Sequence, residues 1–320
     1  MTYKNLKKFL SNNQNNAKID FDLMPHGVKS KIIFCVGTGA CNTAAFLSSV
    51  LSEKSISHSR YINCDELDIK DRFLQNGRQL EIDMLCKNAE KIIKKSGKEI
   101  SNKALLFTLS LLLLDDEYLI IEMDDDFYEA VVGGINFTPL AILFTSLNDE
   151  NNQKLIDMAP CGVSEIFAVS KAENYDYISS VANKNGTRVS YATGNKITVS
   201  KQTLWGTDIY YFSYSYHLSS IDQRNNILAV LALDCAKVLF GISKATIYKG
   251  LSKAKLLYDF ELYSICPNIL LHSGDMDFIL PQNMKYNIIT SCEDFVFPTE
   301  NTLFCGNAEF IEQVKEKLKK

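Results

Sequence analysis

The residues with the clearest chemical potential lie between Ile32 and Phe46, where I-I-F-C-V-G-T-G-A-C-N-T-A-A-F joins an apolar run to an Ala-rich segment. The run ends at Val36, Gly37-Thr38-Gly39 turn the chain, and a helix is expected to follow. A buried strand feeding a glycine turn and a helix N-terminus is how α/β proteins hold phosphate on backbone N–H groups. Gly37, Thr38 and Gly39 are therefore candidate nucleotide-binding residues. Thr43 stands where a hydroxyl would ligate magnesium, and capping a helix turn is the other use of a Thr there. A working phosphate loop also needs a lysine just ahead of that hydroxyl, to reach the β- and γ-phosphates. Here the position is Cys41, followed by Asn42. A charge-assisted hydrogen bond contributes roughly 1.5–3 kcal/mol, so the loop keeps its shape and lacks its main charge.

Glu122 is the candidate metal ligand. It ends the strand-like run Tyr118 to Met123 at the C-terminal edge expected of a parallel sheet, where ligands of α/β proteins bind. With Asp124, Asp125 and Asp126 beside it, the residue types suit a hard cation; an acidic loop tip facing solvent is the plainer reading. Cys41 at a helix N-terminus has a reason for a lowered thiol pKa, against the simpler role of a small buried residue. His217 and His272 have no acid at a readable spacing and are read as structural.

Positioning these residues requires alternating strands and helices. Lys31 to Val36, Tyr118 to Met123, Leu140 to Ser146 and Glu165 to Ser170 are short and rich in Ile, Leu and Phe. Helical patterns lie between them, as in Ile82 to Lys95, where Ile82, Leu85, Ala89 and Ile92-Ile93 share one face. The order predicts an α/β fold with a mostly parallel sheet and helices on both faces. From Lys196 the residues alternate polar and aromatic, predicting a small antiparallel element that turns at Trp205-Gly206-Thr207-Asp208. Asn225 to Phe240 then reads as an apolar helix ended by Gly241, and a second helix runs from Ser243 to near Lys255. Beyond Pro267 come strand-like Asn268 to Leu271 and Ile288-Ile289, and a basic helix from Ala308. The expected division is a central domain over 1–257 and a shortened C-terminal α/β domain over 258–320.

Composition excludes some classes of function. With 46% apolar and 22% charged residues, the chain has what a globular core needs. A net charge of −4 with interspersed Lys and Glu argues against a nucleic-acid surface. Nine cysteines at scattered spacings predict free thiols in a reducing cytoplasm rather than a zinc site. The longest apolar run, Ala104 to Leu114, is too short to span a bilayer and reads as a buried helix. The opening Met1-Thr2-Tyr3-Lys4 carries no apolar signal core. Neither a membrane nor a nucleic acid is expected as a partner.

The order of these features resembles the folylpolyglutamate synthases of the Mur-ligase superfamily along nearly the whole chain. Met1 to Leu10 is similar to that family's opening M-T-Y helix, and Gly37 to Thr43 to its G-T-N-G-K-G-S loop. Asp71-Arg72-Phe73-Leu74-Gln75-Asn76-Gly77 echoes its E-R-i-x-x-N-G segment, and Leu119 to Glu122 its strand ending in Glu. Pro139 to Ser146 resembles its P-x-A-V-I-T-S strand, and Phe260 to Leu271 the strand entering its last domain. Asn225-Asn226-Ile227-Leu228-Ala229 resembles its N-A-A-L-A helix start, which adds Asn225 to the candidate nucleotide-binding residues. The resemblance implies a P-loop central domain and, for an active member, ATP and magnesium.

The residues carrying the family's chemistry are the ones that differ. Cys41 replaces the loop lysine. Asp124 to Glu129 replaces a glycine-rich segment, and Asn148-Asp149-Glu150-Asn151 lacks the family's magnesium-binding His. Asp157-Met158-Ala159 lacks its carbamylated lysine. Leu257-Tyr258-Asp259 has an acid where a phosphate-contacting Arg is expected. His272 to Asp277 departs from the D-x-A-H-N-P motif. Two functions follow. One is a degenerate homologue without ligase activity, a binding or partner subunit for a protein or a small carboxylate ligand. The other is an ATP-dependent ligase adding glutamate to a folate-like or other acid, with replacement cations such as Arg72, Lys171 or Arg224. A metal-binding sensor on the acidic segment is a weaker third.

Overall fold

The structure is a computed structural model. It describes residues 1–12, 19, 21–25, 27–64, 67–96, 100–146, 149–170, 175–184, 186–256, 260–265, 267–273, 286–291, 295 and 297–319. The chain opens with helix α1 (Tyr3–Asn12), then strand β1 (Lys31–Val36), helix α2 (Ala40–Glu53) and strand β2 (His58–Tyr61). A short hairpin, β3 (Phe73–Gln75) and β4 (Arg78–Gln79), precedes helices α3 (Ile82–Lys95) and α4 (Asn102–Leu113). Strand β5 (Tyr118–Met123) leads into α5 (Asp125–Val132), and β6 (Ala141–Phe144) into α6 (Asp149–Asp157). Then come β7 (Glu165–Val169), α7 (Tyr175–Lys184) and β8 (Arg188–Ala192).

These strands form one sheet in the order β4-β3-β2-β5-β1-β6-β7-β8. In that order pairing is parallel from β2 to β8, and the β2–β3 and β3–β4 pairings at the edge are antiparallel. Central strands in such a sheet are covered on both faces, so they read as continuous apolar runs. In β1, five consecutive residues from Ile32 to Val36 are buried. Ile32, Phe34 and Val36 pack into one core with α1, α3, α4 and α5; Ile33 and Cys35 point into the other.

That second core is closed by later elements. An antiparallel sheet, β9 (Ile197–Thr203), β10 (Gly206–Tyr211) and β11 (Tyr214–Leu218), packs with helices α8 (Asn225–Phe240) and α9 (Lys244–Lys253). Helix α8 ends as the sequence predicts, with Gly241 left-handed at φ 59° so that its N–H can return to the last carbonyls. The chain then builds a separate sheet from β12 (Phe260–Ile265), β13 (Asn268–Ser273), β14 (Asn287–Ile289) and β15 (Thr302–Gly306), ordered β12-β13-β15-β14. Ile269, Leu271 and Phe304 face the closing helix α10 (Ala308–Leu318). Leu270, Leu303 and Cys305 face Ile221 and Leu204 of the antiparallel sheet's surroundings.

Several expectations need correction. The small sheet turns at Leu204-Trp205 and again at Phe212-Ser213; Gly206, Thr207 and Asp208 lie inside β10. Asp124 to Asp126 are no loop tip: Asp124 caps α5, its Oδ1 accepting the Phe127 N–H at 2.8 Å, and Asp125 and Asp126 fill the first turn. Carboxylates are favoured there by the free N–H groups of the helix start. The short strand β2, with a charged residue at its centre, was not foreseen.

Candidate functional site

Parallel pairing of β1 with β5 sets Cys35 beside Glu122 and Val36 beside Met123, so the glycine turn and the candidate metal ligand leave the sheet together. The Gly37 N–H donates to the Met123 carbonyl at 3.0 Å. Gly37 has φ 108°, and a methyl group there would lie 3.0 Å from the Ser146 nitrogen. Only glycine suits that position. Gly39 takes the N-cap place of α2 and supplies no side chain to cap it. Its N–H donates instead to Thr145 Oγ1 at 3.1 Å, and that hydroxyl donates to the Val36 carbonyl at 2.8 Å.

The charge at the turn comes from β2. Arg60 Nε donates to Glu122 Oε1 at 2.6 Å, and Arg60 Nη2 donates to the Cys41 carbonyl at 2.9 Å. The same nitrogen is 3.6 Å from Cys41 Sγ. Both partners are buried, with 6% of Arg60 and 2% of Glu122 exposed. Burial pushes the Glu122 carboxyl up, and the adjoining guanidinium opposes the shift. The pair is ionised, because a guanidinium does not deprotonate and a neutral Glu122 would strand it.

A second set of contacts closes the turn from α8. Asn42 Nδ2 donates to Asn225 Oδ1 at 2.8 Å, and Asn225 Nδ2 to Ser220 Oγ at 2.8 Å. Arg224 is held by Asp222, with Nη2 at 2.8 Å from Oδ2. A methyl group on Gly39 would sit 2.5 Å from Leu228 Cδ2, so an apolar side chain lies directly over that glycine. From α5, Asp125 Oδ1 approaches to 3.4 Å of where a Gly37 methyl would be, and Asn151 Nδ2 donates to Asp125 Oδ2 at 2.5 Å. Burial pushes the Asp125 carboxyl up. Thr43 lies in the first turns of α2 rather than at its cap, and it is fully buried. Among the described residues, Asn42 Oδ1, Thr43 Oγ1, Glu122 Oε2 and Asp125 Oδ1 are buried without a hydrogen-bond partner.

The fold therefore brings together Gly37, Gly39, Thr43, Glu122 and Asn225, while Thr38 is the exposed residue of the turn. A magnesium-bound triphosphate would meet several side chains at this turn. The Gly39 N–H is committed to Thr145, Leu228 lies over Gly39, and Glu122 is paired with Arg60 through Oε1 alone. Asp125 adds a carboxyl where an anion would approach. Among the described residues, no three His, Cys, Asp or Glu side chains are placed to share a metal ion.

The remaining candidates scatter. Arg72 donates from Nε to the Leu67 carbonyl at 3.1 Å, and Arg224 pairs with Asp222, its Nη2 at 2.8 Å from Oδ2. Lys171, Asn148, 257–259 and 274–277 lie outside the described residues. His217 does have an acid, across the strand pair: its Nδ1 is 2.6 Å from Asp208 Oδ1. His272 stacks on Phe260, with ring centroids 4.6 Å apart. Arg60, Thr145 and Leu228 were missed. Only Arg60 left a trace, as a lone charge in His58-Ser59-Arg60-Tyr61, and nothing in that segment names its partner.

No protein-family model matches the sequence, and no curated protein matches it. Solved structures do. The folylpolyglutamate synthase of Thermotoga maritima has a TM-score of 0.66 at 16% identity, covering 85% of this chain and 70% of that one. A point variant of the L. casei enzyme has a TM-score of 0.73 at 11% identity, covering 99% and 100%. The Mycobacterium tuberculosis enzyme, complexed with ADP, has a TM-score of 0.64 at 11% identity, covering 85% and 70%. The chain has the folylpolyglutamate synthase fold. Among the described residues, no helix is long and apolar enough to cross a membrane.

Proposed function

We propose that this chain is a degenerate folylpolyglutamate synthase-like protein that has lost ATP-dependent ligation and acts as a binding or partner subunit. One observation carries the reading. The cation at the glycine turn is Arg60, and it is bonded to Glu122. Phosphoryl transfer is catalysed by positioned positive charge that neutralises developing negative charge. A guanidinium already neutralised by a buried carboxylate supplies little of it. The unpartnered Asn42 and Asp125 oxygens support the same reading, since they would accept from a donor group and repel phosphate. On this reading residues 258–320 are a shortened C-terminal domain, and the protein works in the cytoplasm with its cysteines reduced.

Arg60 also supports the ligase reading, because it places a cation beside Cys41, the position of the missing lysine. Calorimetric titration with magnesium-ATP separates the two. The degenerate reading expects no heat of binding at micromolar concentrations. Micromolar binding would overturn it, and ligase assays with glutamate and folates would then decide the substrate.

A further inference from the structure

The β10–β11 hairpin turns on two residues, Phe212 and Ser213, at φ 45° and 65°. A two-residue turn with both residues left-handed is the territory of Asn-Gly and Gly-Gly. The chain follows that rule at Asn76-Gly77, with φ 47° and 76°. At the β10–β11 turn it holds a bulky phenylalanine in a conformation that costs free energy for any residue with a Cβ. Burial does not repay that cost: Phe212 is 58% exposed and its neighbour Tyr214 45%. Strain of this kind persists where the surroundings or a function require it.

Lysines gather at the same tip. Lys196 Nζ stands 5.2 Å from the Phe212 ring centroid, and Lys244 Nζ 2.9 Å from that of Tyr214. Lys237, near the end of α8, acts with Lys196 on the half-buried Asp234 beneath, whose Oδ2 accepts from Tyr211 at 2.8 Å. Some surface lysines elsewhere are matched to carboxylates, among them Lys31 with Glu117, Lys94 with Glu90, Lys154 with Glu129 and Lys253 with Glu53. Among the described residues, Lys196, Lys237 and Lys244 are exposed and form no such pair.

We propose that this hairpin tip is a docking surface for an acidic segment of a partner protein that carries an aromatic or leucine side chain. The proposal deepens the reading of the chain as a partner subunit by naming where the partner binds. Phe212 and Tyr214 offer rigid apolar area at small entropic cost, and the lysines offer charge complementary to Asp and Glu. A protein segment suits the tip better than a nucleic acid. The chain is net negative, and three lysines around a turn do not make a groove that tracks a phosphate backbone.

Fluorescence anisotropy tests this with the full chain and a labelled peptide alternating glutamate with phenylalanine. A lysine–phenylalanine peptide and oligothymidylate serve as the competing ligands. The native chain should bind the glutamate peptide in a salt-sensitive way. Phe212→Gly should weaken binding by about tenfold. It should melt no lower than the native chain, because glycine adopts this backbone freely. Lys196→Glu with Lys244→Glu should abolish binding, and this variant keeps the test open if the glycine variant misfolds. No binding of the glutamate peptide overturns the proposal, as does equal binding by the variants. Preference for oligothymidylate overturns it in favour of nucleic acid, and a dimer dissolved by Phe212→Gly overturns it in favour of self-association. Nucleotide is absent and the Gly37 turn is untouched, so the result stands apart from the magnesium-ATP titration.

Discussion

Arg60 Nε lies 2.6 Å from Glu122 Oε1, and the two residues sit on adjacent parallel strands beneath a glycine turn. A tethered guanidinium thus neutralises the carboxylate that ends β5, where an exchangeable cation was expected. The pair costs desolvation on both sides and holds only while both charges are present.

Arg60→Met should therefore destabilise the fold by about 3–5 kcal/mol, because it leaves Glu122 buried and unpaired. Arg60→Met with Glu122→Met should recover most of that loss. Urea denaturation midpoints would measure both, and a single variant losing under about 1 kcal/mol would mean that water already solvates the pair.

Cys41→Lys restores the expected residue type and should still not restore nucleotide binding. The new ammonium would meet Arg60, whose Nη2 is 3.6 Å from Cys41 Sγ. A lower melting temperature and a flat magnesium-ATP titration are expected. Micromolar binding by this variant alone would show that one side chain accounts for the lost site.

Gly39→Ala should cost about 1–3 kcal/mol through overpacking, since its methyl would lie 2.5 Å from Leu228 Cδ2 and 3.1 Å from the Thr145 carbonyl. Adding Leu228→Ala removes the first contact and not the second. The double variant should therefore fall short of the sum of the single losses, which a double-mutant cycle by denaturation would read.

Asp234 gives the fold a pH dependence. Burial pushes its carboxyl up to about 6, against the Tyr211 hydrogen bond and the charges of Lys237 and Lys196; Tyr216 also faces it. The folded state then holds the proton more tightly than the unfolded chain, where Asp titrates near 4. The contribution is complete below about pH 4 and is lost as pH rises through about 6. Asp234→Asn should flatten the stability profile over that window, and an unchanged slope in urea midpoints would place the dependence elsewhere.

Local signals marked most of the central sheet and much of the turn. β1, β5, α3 and α8 lie where their apolar periods place them, because a strand covered on both faces or a helix half-sunk in a core leaves its pattern in consecutive residues. Gly37 was readable because its turn demands a residue without a Cβ, and Gly241 because a helix end demands one. Thr145 and Leu228 carried no such mark: a threonine after a strand and a leucine in an apolar helix are ordinary locally. Their hold on Gly39 exists only once β6 and α8 are folded against it.

The sequence by itself determined the alternation of strands and helices, the glycine turn at residues 37–39, and the absence of lysine from it. These are properties of neighbours along the chain, set by backbone geometry and by burial periods of two and 3.6 residues. Tertiary structure alone decided where the charge at that turn comes from. Sixty-two positions separate Arg60 from Glu122, and only the placement of β2 beside β5 brings them together. Buried charges must find partners wherever the fold supplies them, and no local spacing records that choice.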